Sequence, residues 1–108
     1  MNRTDYLLVV TSRPEPAIED DWNRWYAEVH LPEIADCPGF GVARRYRHDA
    51  PGERNYLAVY EVDGPEALQS AEFNARRGWG PFAGKVEWTT CLYRRITDTA
   101  SDAGSPKE

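Results

Sequence analysis

Trp22-Asn-Arg-Trp-Tyr-Ala-Glu-Val-His-Leu-Pro-Glu33, closed soon after by Cys37-Pro-Gly-Phe40, is the stretch whose reading decides the fold. Trp22, Trp25, Tyr26 and Val29 stand at offsets 0, +3, +4 and +7, the spacing of one helical face. His30 lies four residues after Tyr26 and so falls on the side of Tyr26 and Trp22. Asn23, Arg24 and Glu28 fall mostly elsewhere and read as solvated. Glu19, Asp20 and Asp21 precede the aromatics, where carboxylates suit the positive end of a helix dipole. The spacing predicts a helix from about Ala17 to about His30. Pro32 bends or restarts the chain, and a further turn carries Ile34 before Pro38-Gly39 stops it.

Working outward, Tyr6-Leu-Leu-Val-Val-Thr11 is β-rich and apolar on both faces, a first strand with both faces to be covered. Pro14 and Pro16 then break it. Gly41–His48 reads as a second strand, with Ala43, Arg45 and Arg47 on one face and Arg44, Tyr46 and His48 on the other. Pro51-Gly52 signals a turn, and Tyr56–Val62 is a third strand forming a hairpin with the second. Gly64-Pro65-Glu66 opens a second helix, with proline at its first position and Ala67, Leu68 and Ala71 toward the sheet. Phe73–Gly84 is glycine-rich but aromatic, and Val86–Tyr93 is a fourth strand. The order β-α-β-β-α-β predicts an α+β, ferredoxin-like subunit: a four-stranded antiparallel sheet with two helices on one face. Residues 1–96 form this domain and 97–108 a flexible tail of Ser, Asp, Gly, Pro and Lys. The first and third strands leave the second sheet face seeking a partner, and a symmetric homodimer packed sheet to sheet answers that need.

The totals narrow the function. A chain of 108 residues is one domain, and a net charge of -5 with no dominant Lys/Arg block argues against a nucleic-acid partner. Leu7–Val10 is too short to span a bilayer, so no membrane partner is expected. Two distant cysteines and no secretory leader point to a reduced, cytoplasmic protein. With two histidines in the chain, a metal site would be short of ligands, and none is expected. There is no G-x-S-x-G, H-E-x-x-H, P-loop or dinucleotide fingerprint.

The segments Asn23–Glu33, Pro38–Phe40 and Ala43-Arg-Arg-Tyr-Arg47 resemble the EthD-like branch of the dimeric α/β-barrel superfamily over roughly residues 5 to 96. The W-Y-x-x-x-H-x-P-E plus P-G-F combination is specific for fold and poorly specific for chemistry. The resemblance implies a homodimer of ferredoxin-like subunits, each with a hydrophobic pocket between sheet and helices. It also implies acid–base work by a histidine at the end of the first helix, the position of His30. A second histidine used by some cyclases of the superfamily has no match, since His48 sits beside the turn.

His30 is therefore the candidate catalytic residue, set against a plain alternative in which it closes the helix end on a backbone carbonyl. Tyr26 could hydrogen-bond His30 or a ligand oxygen, and with Trp22 and Trp25 it is a candidate pocket wall. On the sheet, Tyr46, Tyr60, Trp88 and one of Arg44 and Arg45 are candidates. Arg44 is favoured because it shares a face with Tyr46. Gly78-Trp-Gly-Pro81 is a candidate lid, with Trp79 closing over an apolar ligand, or else a rigid loop in which Trp79 plugs the core. Glu33 is near enough to orient His30, or else is simply solvated. The leading expectation is a cofactor-independent enzyme that uses His30 acid–base chemistry on a small apolar aromatic or polyketide-like molecule: an isomerase, cyclase, dehydratase or decarboxylase. The alternatives are a cofactor-free monooxygenase of a phenol and a non-catalytic dimer that binds a ligand or haem.

Overall fold

The computed structural model describes residues 5–49 and 55–99. Four strands, β1 (Tyr6–Pro14), β2 (Phe40–His48), β3 (Asn55–Val62) and β4 (Val86–Arg94), form one sheet in the order β2-β3-β1-β4. Every neighbouring pair is antiparallel. Helical segments connect β1 to β2 and β3 to β4, so the subunit is ferredoxin-like, as the sequence predicts. The Pro51-Gly52 turn lies outside the described residues, as does the tail from Ala100 onward. Residues 97–99 are irregular and exposed.

The first connection departs from the expected helix in an instructive way. A 3-10 turn (Pro16–Ile18) leads into α1 (Glu19–Trp25), a π-helical turn (Tyr26–His30) and α2 (Leu31–Ala35) without a break. The chain thus does not end its helix at His30. Pro32 has no N–H to give the Glu28 carbonyl, and its ring would crowd that carbonyl in a regular helix. The wider π turn, closed by the Leu31 N–H on the Tyr26 carbonyl, makes room for it. The same widening sets the inward face. In a regular helix, steps of four drift by about 40° each. Here Trp22, Tyr26, His30 and Ile34 stay in one buried row, while Val29, expected on that face, is 48% exposed.

The second connection is also less regular than predicted. Pro65–Gln69 is a 3-10 turn, and only α3 (Ala71–Arg76) is α-helical, with the Ser70 hydroxyl accepting from the Phe73 N–H at 3.0 Å. Phe73 rather than Ala71 enters the core, beside Ala67. β1 runs on through Pro14, which stands at the strand end where a missing donor is tolerated.

The helices cover one sheet face. Tyr56, Ala58, Tyr60 and Val62 of β3 and Leu8 and Ser12 of β1 are buried beneath them. A bulge between Phe40 and Ala43 keeps both residues on that side. Gly39 turns the chain into β2 at φ 83, and a Cβ there would stand 2.9 Å from the Ala67 Cβ. The opposite face, with Leu7, Tyr46 and Tyr93, has no cover among the described residues.

Candidate functional site

The inward row of the first helical segment meets β3 through a pair of phenols. The Tyr26 and Tyr60 hydroxyls lie 3.1 Å apart in the core. Burial pushes both pKa values up, so both groups are hydrogen-bond donors at neutral pH. One proton serves the pair, which leaves one O–H for another acceptor.

His30 sits one turn further on, 5% exposed. Its ring stacks on Trp25 at 4.7 Å and 14°, and meets Tyr26 edge to face at 5.0 Å. Nδ1 lies 3.2 Å from the Glu33 Oε2. A carboxylate only accepts, so Nδ1 carries the proton and Nε2 holds the basic lone pair. Nε2 has no hydrogen-bond partner among the described residues. Burial holds the imidazole pKa below its ordinary value, and Glu33 opposes that shift without reversing it. The result is a neutral base whose tautomer is fixed by its neighbour. Glu33 thus lies within hydrogen-bond distance of His30, whereas the Tyr26 hydroxyl meets that of Tyr60 and not His30.

Trp79 joins these groups to a cavity. It is buried, with ring centroids 5.9, 5.7 and 6.0 Å from those of Trp22, Tyr26 and His30. It reaches this place because Gly80 (φ 51) lets the backbone close on Trp25, where a Cβ would come within 2.9 Å of that ring. On the far side of Trp79 lies a cavity of about 250 Å³. Leu8, Val10 and Tyr60 of the sheet form part of its wall, with Ile34 and Phe73 from the helices. It exists because the short helical layer leaves β4 partly bare: Trp88, on the helix side, is 50% exposed. The wall is apolar except for a few groups, among them the Tyr60 phenol and Thr90, the usual make-up of a small-molecule site. The histidine does not line this cavity. The Trp79 indole lies against His30 on one side and bounds the cavity on the other.

The sheet candidates divide. Tyr60, Trp79 and Trp88 line the cavity. Trp22 and Tyr26 are fully buried behind it, and Trp25 braces His30 and Phe82. Arg44 and Tyr46 are on the wrong face for this pocket. Pairing of Ala43 with Tyr60 and of Arg45 with Ala58 puts Ala43 and Arg45 under the helices, and Arg44 turns out to an ion pair with Glu61 at 3.5 Å. Of the two arginines offered by the sequence, Arg45 and not Arg44 enters the site. Its guanidinium lies 4.2 Å from the Tyr26 ring centroid, near Trp22 and Tyr56, and donates to the Asn23 Oδ1 at 2.7 Å. Its Nε and the Trp22 Nε1 are buried without a partner among the described residues. The signal was available: small, apolar Ala43 marks the buried face, and Arg45 alternates with it. Among the described residues no three His, Cys, Asp or Glu side chains gather as a metal-holding group.

A model of the family described as a domain of unknown function (DUF4286) matches residues 5–77. A comparison with curated proteins finds no match. Among solved structures, an EthD family protein from Bacillus halodurans has 20% identity and a TM-score of 0.61, over 84% of this chain and 99% of that one. The haem degrader MhuD from Mycobacterium tuberculosis, solved with two haems in its active site, has 15% identity and a TM-score of 0.62, over 88% and 99%. The cofactor-independent oxygenase SnoaB from Streptomyces nogalater has 12% identity and a TM-score of 0.61, over 93% and 99%. At such identities the likeness is one of fold, and it agrees with the ferredoxin-like subunit expected from the sequence.

Proposed function

We propose that this chain, which belongs to the DUF4286 family, is a cofactor-independent enzyme that moves a proton on an apolar aromatic molecule held in the cavity beside Trp79. The observation that carries the reading is the His30–Glu33 pair: an imidazole kept neutral by burial, its Nδ1 proton held by a carboxylate at 3.2 Å and its Nε2 free to accept. A general base needs that state near neutral pH and within reach of the proton it removes.

The steps assigned to this chain are few. The ligand enters against Tyr60 and Trp88. Trp79 gives way so that Nε2 meets an O–H or an acidic C–H of the ligand. As negative charge grows on the ligand oxygen, the Tyr60 O–H donates to it, while the Tyr26 O–H donates to Tyr60. Donors fixed beforehand at a developing oxyanion stabilise it most where water is excluded. The resulting enolate or phenolate can isomerise, cyclise, or lose water or carbon dioxide.

The same anion is also the species that a cofactor-free oxygenase presents to dioxygen. SnoaB, which shares the fold, is described as such an enzyme, so this second reading stands beside the first. Binding without conversion, with or without haem, is the third. The Trp79 indole standing between His30 and the cavity favours it, while the His30–Glu33 pair favours the first two. Haem ligation by His30 itself has less support, because the ring is enclosed by Trp25, Tyr26 and Trp79.

The working unit in this proposal is a homodimer whose partner covers Leu7, Tyr46 and Tyr93 on the open sheet face. The two free cysteines suit a reduced, cytoplasmic setting, and no helix among the described residues is long and apolar enough to cross a membrane.

The test is to incubate the protein with two-ring phenols and ketones and follow conversion by mass spectrometry and dioxygen by electrode. Conversion lost in His30→Gln supports the base. Dioxygen uptake during conversion selects the oxygenase reading, and full activity in His30→Gln sinks both.

A further inference from the structure

The cavity has a cation at its mouth that the acid–base reading does not use. Arg77 follows α3 in extended backbone (φ -67, ψ 162) and lines the cavity together with Gly78. It is exposed, and its guanidinium lies 5.3 Å from the centroid of the Phe73 ring, itself part of the cavity wall. Among the described residues no carboxylate stands within ion-pair distance of it. Its neighbour Arg76, by contrast, faces Asp36 at 3.7 Å and donates to the Glu33 carbonyl at 3.0 Å. Arg44 and Arg47 likewise have carboxylate partners. In a chain with 18 acidic and 13 basic residues, a cation beside an apolar hole with no carboxylate partner among the described residues is an arrangement that fits an anion arriving from outside.

Resting on the reading of this cavity as the ligand site, we propose that its ligand is a two-ring aromatic molecule bearing a carboxylate, with the rings inside and the carboxylate on Arg77. Volume sets the ring count. An apolar cavity of about 150 Å³ takes one benzene, and this one measures about 250 Å³. Chemistry sets the ends. Leu8, Val10 and Phe73 offer only apolar contact. The Tyr60 phenol can donate to a ring oxygen, and the Arg77 fork matches a carboxylate in two parallel hydrogen bonds. The loop is built to present that fork: Gly78 has φ 105, and a Cβ added there meets nothing within 4 Å, so backbone conformation and not crowding fixes the glycine.

The test is calorimetric titration of the protein with 2-naphthoate and with 2-naphthamide, its uncharged counterpart. The protein is expected to bind the naphthoate about tenfold more tightly, the usual worth of a charge-assisted hydrogen bond, and to lose that margin as salt rises. Arg77→Gln should remove the preference and leave the amide within about twofold, since a surface side chain away from the packed core carries little of the binding to the rings. Arg77→Lys should keep part of the preference. Equal affinities for the two compounds, an equal loss for both in Arg77→Gln, or no binding of either at millimolar concentration would each overturn the proposal. The titration involves no turnover, so a failure of the His30 chemistry leaves it readable, and equal affinities remove the anion assignment alone.

Discussion

The hydroxyl of Tyr26, on the π turn, lies 3.1 Å from the hydroxyl of Tyr60, on β3, and both side chains are 1% exposed. This contact joins the first helical segment to the sheet at the depth of the core. Either hydroxyl can donate in this contact, and the O–H of the other is then left for a further acceptor.

Tyr60→Phe leaves the Tyr26 hydroxyl buried without its partner and should cost about 1 to 3 kcal/mol of stability. Removing both hydroxyls should cost less than the two single changes added together, because no orphan remains. Urea unfolding of Tyr26→Phe, Tyr60→Phe and the double variant measures the coupling. Strict additivity would show that the pair is not formed in solution.

Trp79→Ala removes the ring that touches Trp22, Tyr26, His30 and Trp88. A large aromatic taken from a packed cluster should cost about 3 to 5 kcal/mol, read as a fall in melting temperature. A shift of less than a degree or two would mean that the indole already spends its time away from the core.

Stability should fall with acid in a window set by His30. The folded chain holds this imidazole below its ordinary pKa of 6.5. As pH drops through 6.5 the unfolded chain therefore takes up a proton that the folded chain still refuses. The His30 contribution is complete above that value and declines from there toward the lower folded pKa. Unfolding free energies measured across this range should lose part of their slope in His30→Gln.

Arg45 should be felt at His30 without touching it. Burial does most to keep the imidazole deprotonated, Glu33 opposes it, and the Arg45 charge adds a smaller push in the direction of burial. The Arg45 guanidinium stacks on Tyr26 at 4.2 Å. Arg45→Met should raise the His30 pKa in an NMR titration and cost about 0.5 to 2 kcal/mol from the lost cation–π contact. An unchanged titration would place the arginine outside the site.

Much of the architecture was legible because strand patterning and helix spacing are local. The β-α-β-β-α-β order follows from apolar runs, prolines and glycines, and the inward face from Trp22, Tyr26 and His30. What was not legible depends on register and on irregular helix. Whether Arg44 or Arg45 faces the helices turns on pairing with β3 and on the bulge before Ala43. Tyr46, aromatic and so attractive as a wall, lies on the open face for the same reason. Val29 leaves the inward face because a regular period does not foresee a π turn, although Pro32 is the residue that calls for one. The gap between His30 and the cavity, filled by Trp79, comes from a loop whose path depends on glycine conformations at 78 and 80.

The most direct test of the central claim is proton exchange on a bound carbon acid, which needs no knowledge of the later step. 2-Tetralone, a two-ring ketone with acidic C–H bonds, would be incubated with the protein in deuterated buffer and its α-proton signals followed by NMR. The protein should speed exchange, and His30→Gln should lose about a hundredfold or more of that acceleration, the usual contribution of a placed base. The loss should occur without loss of 2-tetralone binding. Exchange as fast in His30→Gln as in the parent protein would contradict the claim.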